Sequence, residues 1–416
     1  MRLVPVSPRS IDDYRPIVSD KAVNSLQRVA WQIEGSSLLN VNSTAYGGGV
    51  AELLLAQIPL LQDLGISAQW GVIDGDERFF EITKTIHNGL QGNHDLEWTQ
   101  DMEQHYLACV GANLASLPTG LDVAVIHDPQ PLAILSLLGP RAREVASKWV
   151  WRLHIDCADP HPGIWSFVRD LIEPYDAAVF TMREFVQEDV PAGRVVICPP
   201  SIDPLSPKNA PLAPITVTDI CRQYRIDPER PIMAQISRFD RWKDPLGVIE
   251  AYRTVKRDLP EVQLILAGSL AHDDPEGLRF YDDVLHACDG DPDIFVLSNF
   301  QEVGNTAVNC FQRAAGVVLQ KSIREGFGLT VAEAGWKERC VVGGRAGGIT
   351  LQIDDGRTGY LVESVEECAA RTAELLADPQ RAAQMGRAAR ELIGDRFLTT
   401  REVSDWVGLA AELLRA

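Results

Sequence analysis

Two glutamates, Glu325 and Glu333, share the segment Ile323-Arg324-Glu325-Gly326-Phe327-Gly328-Leu329-Thr330-Val331-Ala332-Glu333. The first lies in a glycine-rich loop and the second in the helix predicted to follow. Carboxylates accept hydrogen bonds, so Glu325 suits a pair of neighbouring hydroxyls and Glu333 a vicinal diol such as that of ribose. Gly326 and Gly328 free backbone amides for further hydroxyls. A structural role competes: Thr330-x-x-Glu333 has the spacing of a capping box, in which Glu333 would serve its own helix terminus.

Two cations stand in Ser237-Arg238-Phe239-Asp240-Arg241-Trp242-Lys243-Asp244-Pro245. Asp244-Pro245 reads as an N-cap followed by proline at the first helical position. Arg238 and Lys243 therefore sit in a loop aimed at a helix N-terminus. A guanidinium fork and an ammonium there suit a diphosphate, whose charge grows when it departs as a leaving group. The competing reading is an exposed loop with solvated cations.

A third segment, Asn42-Ser43-Thr44-Ala45-Tyr46-Gly47-Gly48-Gly49, joins a predicted strand to a predicted helix with Glu52 in its first turn. Consecutive glycines let a ligand approach the backbone, and the helix N-terminus favours negative charge. The pattern fits neither Gly-x-Gly-x-x-Gly nor a P-loop, and a plain flexible turn is the alternative. His154-Ile155-Asp156 ends another predicted strand, and His127-Asp128 ends the one before it. Polar residues at the carboxyl ends of parallel strands face a ligand cleft. His154, Asp156 and His161 lack the convergence a metal site needs, and a hydrogen-bonded buried histidine is the simpler reading of His154. The Asp-x-Asp triplets at Asp74–Asp76, Asp289–Asp291 and Asp291–Asp293 read as turns. Arg345-Ala346-Gly347-Gly348-Ile349 admits a ligand against its backbone, whereas Asp355-Gly356 looks like a hairpin turn before the strand Gly359–Val362.

These residues need a scaffold of alternating strands and helices. The first series of strand-like runs is Val29–Ile33 with Leu38–Val41, then Ala68–Ile73, Val123–Ile126, Trp149–Ile155, Ala177–Thr181 and Val195–Cys198. The second is Ile232–Ser237, Gln263–Ala267, Ile294–Leu297, Gly316–Leu319 and Cys340–Val342. Amphipathic stretches such as Val50–Leu64, Leu246–Asp258 and Cys368–Leu376 lie between them. Such alternation predicts an α/β protein with two doubly wound Rossmann-like domains and an interdomain cleft. Six prolines between Pro199 and Pro214 mark the linker. The domains expected are 1–210, 211–394 and a terminal helical segment, 395–416.

Composition sets outer limits. Of 416 residues, 45% are apolar and 23% charged, which suits folded domains. A net charge of −19 argues against a general role in holding nucleic acid. The eight cysteines form no Cys-x-x-Cys pair, so free thiols in a reducing cytoplasm are expected, with neither disulfides nor structural zinc. No leader-like h-region and no apolar run of membrane-spanning length is found. No activated Ser/His/Asp or Cys/His set is apparent.

With Glu325-x7-Glu333 in place, the chain resembles the retaining GT-B glycosyltransferases of family 4. It is similar in particular to the trehalose synthase and trehalose phosphorylase subgroup. That likeness rests on Val41–Glu52, Thr83–Asn88, Trp151–Asp156 and Gln320–Gly328, and runs through both domains. The resemblance implies an acceptor held by the first domain, a nucleotide-sugar by the second, and a last helix packed back on the first. It places Arg238 and Lys243 on the diphosphate, Glu325 on the O3/O4 side of the donor sugar, and His154 near its 6-hydroxyl. It assigns Gly48, Gly49, Gly326, Phe327, Gly328, Leu329 and Glu333 to the donor, with Glu333 on the ribose, and Asn42, Glu52 and Asp156 to the acceptor. The implied chemistry is front-face transfer of a hexose, glucose above all, from a nucleoside-diphosphate sugar to a small sugar acceptor such as glucose, giving trehalose. It needs no cofactor and no obligatory metal. No nucleic acid or membrane span is expected, and a homodimer is compatible. A trehalose phosphorylase, a cyclitol-coupling pseudo-glycosyltransferase and a non-catalytic nucleotide-sugar binder are the alternatives. One departure stands out: Asp244 follows Lys243 where the family often has glycine, and an acid there would retune the phosphate contact.

Overall fold

The computed structural model describes residues 1–270 and 275–416. The chain divides into two compact units, Met1–Ser201 with Thr399–Ala416, and Ile202–Leu398. Each is a parallel sheet layered with helices.

The first unit holds β1 (Arg2–Leu3), β2 (Ser37–Asn42), β3 (Ser67–Val72), β4 (Leu121–His127), β5 (Ala146–Arg152), β6 (Ala177–Phe180) and β7 (Val195–Ile197). Their order is β1-β3-β2-β4-β5-β6-β7, and only β1 runs antiparallel. The chain order reverses between β2 and β4, so the loops after those strands diverge there and leave a crevice at their carboxyl ends. The predicted strand Val29–Ile33 is not one. Residues 20–30 form the helix Asp20–Ala30, which buries Val23, Leu26 and Ala30 on one face at helical spacing. The helix Gly49–Asp63 follows the glycine loop, and the closing helix Thr399–Arg415 buries Val403, Trp406, Val407 and Ala410 in this unit's core.

The second unit contains β8 (Ile232–Ile236), β9 (Gln263–Gly268), β10 (Ile294–Ser298), β11 (Val317–Gln320), β12 (Val341–Gly344) and β13 (Gly359–Val362). All pair in parallel, in the order β10-β9-β8-β11-β12-β13. The chain reverses between β8 and β11, as in doubly wound sheets. Both faces of this sheet are apolar. Met233, Leu264, Val317 and Val342 face one core, and Ile232, Ala234, Ile265 and Val318 the other. Strands covered on both faces read as unbroken hydrophobic runs, which is what made them visible in the sequence. The expected hairpin at Asp355-Gly356 is absent: β13 pairs in parallel with β12, and Gly356, at φ +76°, turns within the preceding loop. Among the described residues no helix is long and apolar enough to cross a membrane.

Candidate active site

In the second unit, the two motifs occupy the loops that leave β8 and β11 at the switch point. After β8 the chain runs through Arg238 and Asp240 into a short 3-10 turn, Arg241–Lys243, capped by the Asp240 carboxylate on the amides of Trp242 and Lys243. After β11 it runs through Lys321 and Glu325 to Gly328, which starts the helix Leu329–Trp336. The loops are tied by backbone, Ile323 N–H to Trp242 O at 2.9 Å, and by charge. Lys243 Nζ donates to Glu325 Oε2 at 2.6 Å, and the same oxygen accepts from Ser322 Oγ at 3.0 Å and Gln320 Nε2 at 3.1 Å. Glu325 is 6% exposed, so the pair is largely desolvated and fixed in orientation. Arg238 lies beside Asp240 at 3.2 Å with 45% of its side chain exposed, open to an incoming anion.

Gly328 has φ +83°, and no side chain caps the helix that begins after it. That leaves an N-terminus suited to negative charge beside the cations. Phe327 is buried, its ring tilted at 59° against Phe397 with 5.4 Å between centroids. A Cβ on Gly348 would collide with the Phe327 backbone, so this glycine lets one loop pack on another, while Gly347 stands at φ +41°.

Glu333 is 2% exposed and makes no capping box; Thr330 Oγ1 donates instead to Ile236 O at 2.7 Å. Glu333 Oε2 accepts from Gln312 Nε2 at 2.9 Å, and Oε1 lies 3.5 Å from Lys208 Nζ. Lys337 Nζ donates to Asn209 Oδ1, Gln312 Oε1 and the Glu333 carbonyl, at 2.8, 2.6 and 3.2 Å. Burial alone would raise the Glu333 carboxyl; Lys208, Lys337 and the Gln312 amide outweigh it and hold it below its ordinary value.

In the first unit, His127 ends β4, and His154 sits two residues past β5. His127 Nε2 meets Asn40 Oδ1 at 2.9 Å, and His127 Nδ1 meets His154 Nε2 at 3.0 Å. An amide oxygen only accepts, so His127 carries its proton on Nε2. Neutral His127 then accepts at Nδ1, which makes His154 the donor through Nε2 and leaves its Nδ1 a lone-pair acceptor. Both rings stay neutral: burial and then the Arg152 charge lower His127 to about 3, and the same causes hold His154 well below its ordinary value. Arg152 is fully buried, and its guanidinium nitrogens make no hydrogen bond among the described residues. Asp128, at φ +62°, accepts from the His154 amide at 2.8 Å; burial raises its carboxyl to about 7 against the pull of that bond and of Arg152.

The other first-unit candidates divide between shaping and open roles. Asn42 is buried, with Nδ2 donating to Thr44 O at 2.7 Å and Oδ1 accepting from Trp70 Nε1 at 2.8 Å, so it shapes the glycine loop. Gly48 begins the helix Gly49–Asp63 with no side-chain cap, and Glu52 is exposed in its first turn. Asp156 is buried and accepts from the Ala158 amide at 3.1 Å. His161 caps the helix Pro162–Ile172 through Nδ1. Asp291 and Asp293 both hold Lys256 Nζ at 2.8 Å, an ion-pair cluster at the β10 entry.

Residues 40–187 match the family described as trehalose synthase, N-terminal domain, and residues 217–392 match glycosyl transferases group 1. The trehalose synthase of Thermococcus litoralis is 45% identical over 402 residues, 96% of each chain. The chain belongs to the trehalose synthase family of glycosyltransferases. A trehalose synthase of Rubrobacter xylanophilus is 44% identical over 98% of this chain and 97% of its own. A trehalose phosphorylase of Pleurotus pulmonarius is 28% identical over 96% of this chain and 60% of its own. Among solved structures, the trehalose-6-phosphate synthase OtsA superposes with TM-score 0.72 at 14% identity, covering 91% of this chain and 99% of that one. An α,α-trehalose 6-phosphate synthase of Burkholderia multivorans gives 0.70 over 91% and 98% at the same identity. That likeness establishes the GT-B fold. This member of the trehalose synthase family is thus an enzyme that transfers a glycosyl group and acts on sugars.

For this trehalose synthase-family enzyme the structure adds residues that sequence reasoning passed over. Lys321 lies within the segment Gln320–Gly328, and no local pattern marks its role. Its ammonium is paired with the Asp244 carboxylate, and its amide donates to Gln235 Oε1 at 3.0 Å. Asp244 has φ +47°, a left-handed conformation that glycine adopts without strain. Here the acid stays because it works twice, pairing Lys321 and capping the helix Pro245–Asp258 at the Gly247 amide, 3.1 Å away. Lys321 is the counter-charge of the Asp244 carboxylate. Asp244→Gly loses the pair but relieves the backbone, whereas Asp244→Ala loses the pair and keeps the strain. Urea denaturation is expected to show the alanine variant about 1–2 kcal/mol less stable than the glycine variant. Equal stabilities would mean that the left-handed conformation carries no cost here.

Proposed function

We propose that this enzyme is a retaining transferase that moves glucose from a nucleoside-diphosphate sugar to free glucose and makes α,α-1,1-linked trehalose. The observation that carries the reading is the Lys243–Glu325 pair at the switch point of the second unit, flanked by Arg238 and Lys321. A diphosphate entering beside Arg238 competes for the ammonium of Lys243. Glu325, relieved of part of that bond, accepts from the sugar hydroxyls. Glu333 takes the ribose diol, and His154 Nδ1, in the first unit, offers an acceptor to a sugar hydroxyl. The acceptor hydroxyl attacks the anomeric carbon on the face from which the diphosphate leaves. The bond from that carbon to phosphate oxygen breaks, and the departing oxygen takes the hydroxyl proton. Charge gathers on the leaving group, where fixed cations lower the barrier most. The scheme uses no protein nucleophile and requires no metal.

The similarity to a trehalose phosphorylase supports a second reading, in which inorganic phosphate takes the place of the diphosphate at the same cations. A panel of nucleoside-diphosphate glucoses with free glucose, read by proton NMR, separates the two. Trehalose with retained α configuration is the expected product. A β-linked product, no transfer from any donor, or turnover of trehalose only with inorganic phosphate would sink the synthase reading.

A further inference from the structure

Away from the residues assigned to transfer, three side chains of the first unit converge at the start of the helix Glu77–Leu90. Asp76 is its N-cap, accepting from the Phe79 amide through Oδ1 at 2.7 Å. His105 and Cys109 lie one turn apart on the helix Gln100–Ala112, so they project from one face. His105 Nε2 is 2.9 Å from Asp76 Oδ1 and 3.5 Å from Cys109 Sγ, and the three donor atoms all lie within 4.8 Å of one another. We propose that Asp76, His105 and Cys109 form a binding site for one zinc ion, with a solvent molecule in the fourth position.

The spacing fits that ion. Zinc bonds of about 2.3 Å to sulfur and about 2.0 Å to nitrogen, at a tetrahedral angle, place the two donors about 3.5 Å apart. That is the separation found between Cys109 and His105. The nitrogen and carboxylate oxygen need about 3.3 Å, a few tenths more than the hydrogen bond they now share. The donor set selects among metals: one thiolate with imidazole and carboxylate suits zinc, whereas magnesium and calcium prefer oxygen alone. The doubly charged ion would meet one thiolate and one carboxylate, so the filled site is neutral. The thiol proton leaves to solvent, and the imidazole proton moves from Nε2 to Nδ1. The Phe79 amide, bonded to the Asp76 carboxylate, orients that ligand from behind. Asp76 and His105 keep 56% and 24% of their side-chain exposure, which leaves the ion a way in. Zinc there would bolt the start of one helix to the middle of the next. Cys109 is the one cysteine of the eight that is not buried, so thiol-dependent signals are assignable to it.

The full chain, stripped with chelator, is titrated with zinc(II) and separately with cobalt(II). One equivalent of zinc is expected, with a thiolate-to-cobalt charge-transfer band in the cobalt form. Cys109→Ser should abolish the band and weaken zinc by about tenfold or more, since even loss of an outer partner of a ligand costs that much. Serine keeps the size of the side chain, and circular dichroism confirms the fold. Zinc uptake unchanged in Cys109→Ser and His105→Ala, or a cobalt spectrum without the thiolate band, overturns the site.

Discussion

Glu325→Gln is expected to lower turnover by about two orders of magnitude while the fold survives, the scale for loss of one transition-state contact in a preorganised site. Three donors converge on Glu325 Oε2: the Lys243 ammonium, the Ser322 hydroxyl and the Gln320 amide. A glutamine side chain has the same shape but one donor end and one acceptor end. If its oxygen faces those donors, its NH₂ stands where the second carboxylate oxygen was, and it offers a donor to hydroxyls that need an acceptor. If it flips, the NH₂ is driven against an ammonium. Either orientation forfeits one side of the contact. It also leaves Lys243, 12% exposed, without its counter-charge. A diphosphate can restore that charge, so the donor is expected to bind with little loss while the chemical step slows. Initial rates over a range of donor concentration, with circular dichroism on the same samples, check this. Ser322→Ala is the milder control, losing one neutral hydrogen bond worth about 1 kcal/mol. A glutamine variant at full rate, or one that no longer folds, would remove Glu325 from the role assigned to it.

How far the sequence carried the reading depended on whether a feature leaves a local trace. Strands β8 to β12 were legible because their residues are covered on both faces. The same logic misled at Val29–Ile33, where a short apolar run belongs to the end of a helix and the turn after it. Periodicity over five residues cannot separate the two. Strand β1 is two residues long and paired only at the sheet edge, so nothing in Arg2-Leu3 announced it. At β13 the turn signal was real, but the partner is parallel β12 and not the segment just before the turn. The site followed the same rule. Glu325, Arg238 and Lys243 stand out as candidates because their loops carry glycine, proline and charge in a recognisable pattern. Lys321 pairs with Asp244 across 77 residues, and Lys337 with Asn209 across 128, and no local pattern marks either. The tautomer of His154 is likewise set by Asn40 and His127 on two other strands, a relation that only the sheet order β2-β4-β5 creates.

Lys337→Met is expected to cost about 3 kcal/mol of stability, the lower end for removing one member of a buried charge pair. Methionine keeps the apolar stem but leaves three acceptors without the donor they share: Asn209 Oδ1, Gln312 Oε1 and the Glu333 carbonyl. Glu333 keeps Lys208 and Gln312, which is why the loss stays at the lower end. The pH dependence carries the sharper signature. Burial lowers Lys337 to about 7 despite the opposing pull of Glu333. Between that value and about 10.4, the ordinary value for lysine, the unfolded chain holds a proton that the folded chain has shed. Stability from this group therefore rises with pH through that window, and the methionine variant should lack the rise. On the acid side the sign is the same. The Glu333 carboxyl is held below its ordinary value, so its contribution is present above about 4.3 and is lost as pH falls through the folded value. Without Lys337 that carboxyl rises, and acid unfolding begins at higher pH. Urea denaturation of both proteins from about pH 2 to about pH 10 reads the two limbs separately. Curves displaced by a constant amount, with neither limb altered, would show that Lys337 acts through packing alone. Glu333→Gln beside Lys337→Met then apportions the coupling: a double variant less damaged than the sum of the singles, by about 1 kcal/mol or more, marks a direct interaction. Donor KM supplies the functional half of the test. In the proposed role ionised Glu333 accepts from both ribose hydroxyls through charge-assisted bonds, and protonation weakens that contact, so the methionine variant should lose donor affinity as pH is lowered sooner than the parent does.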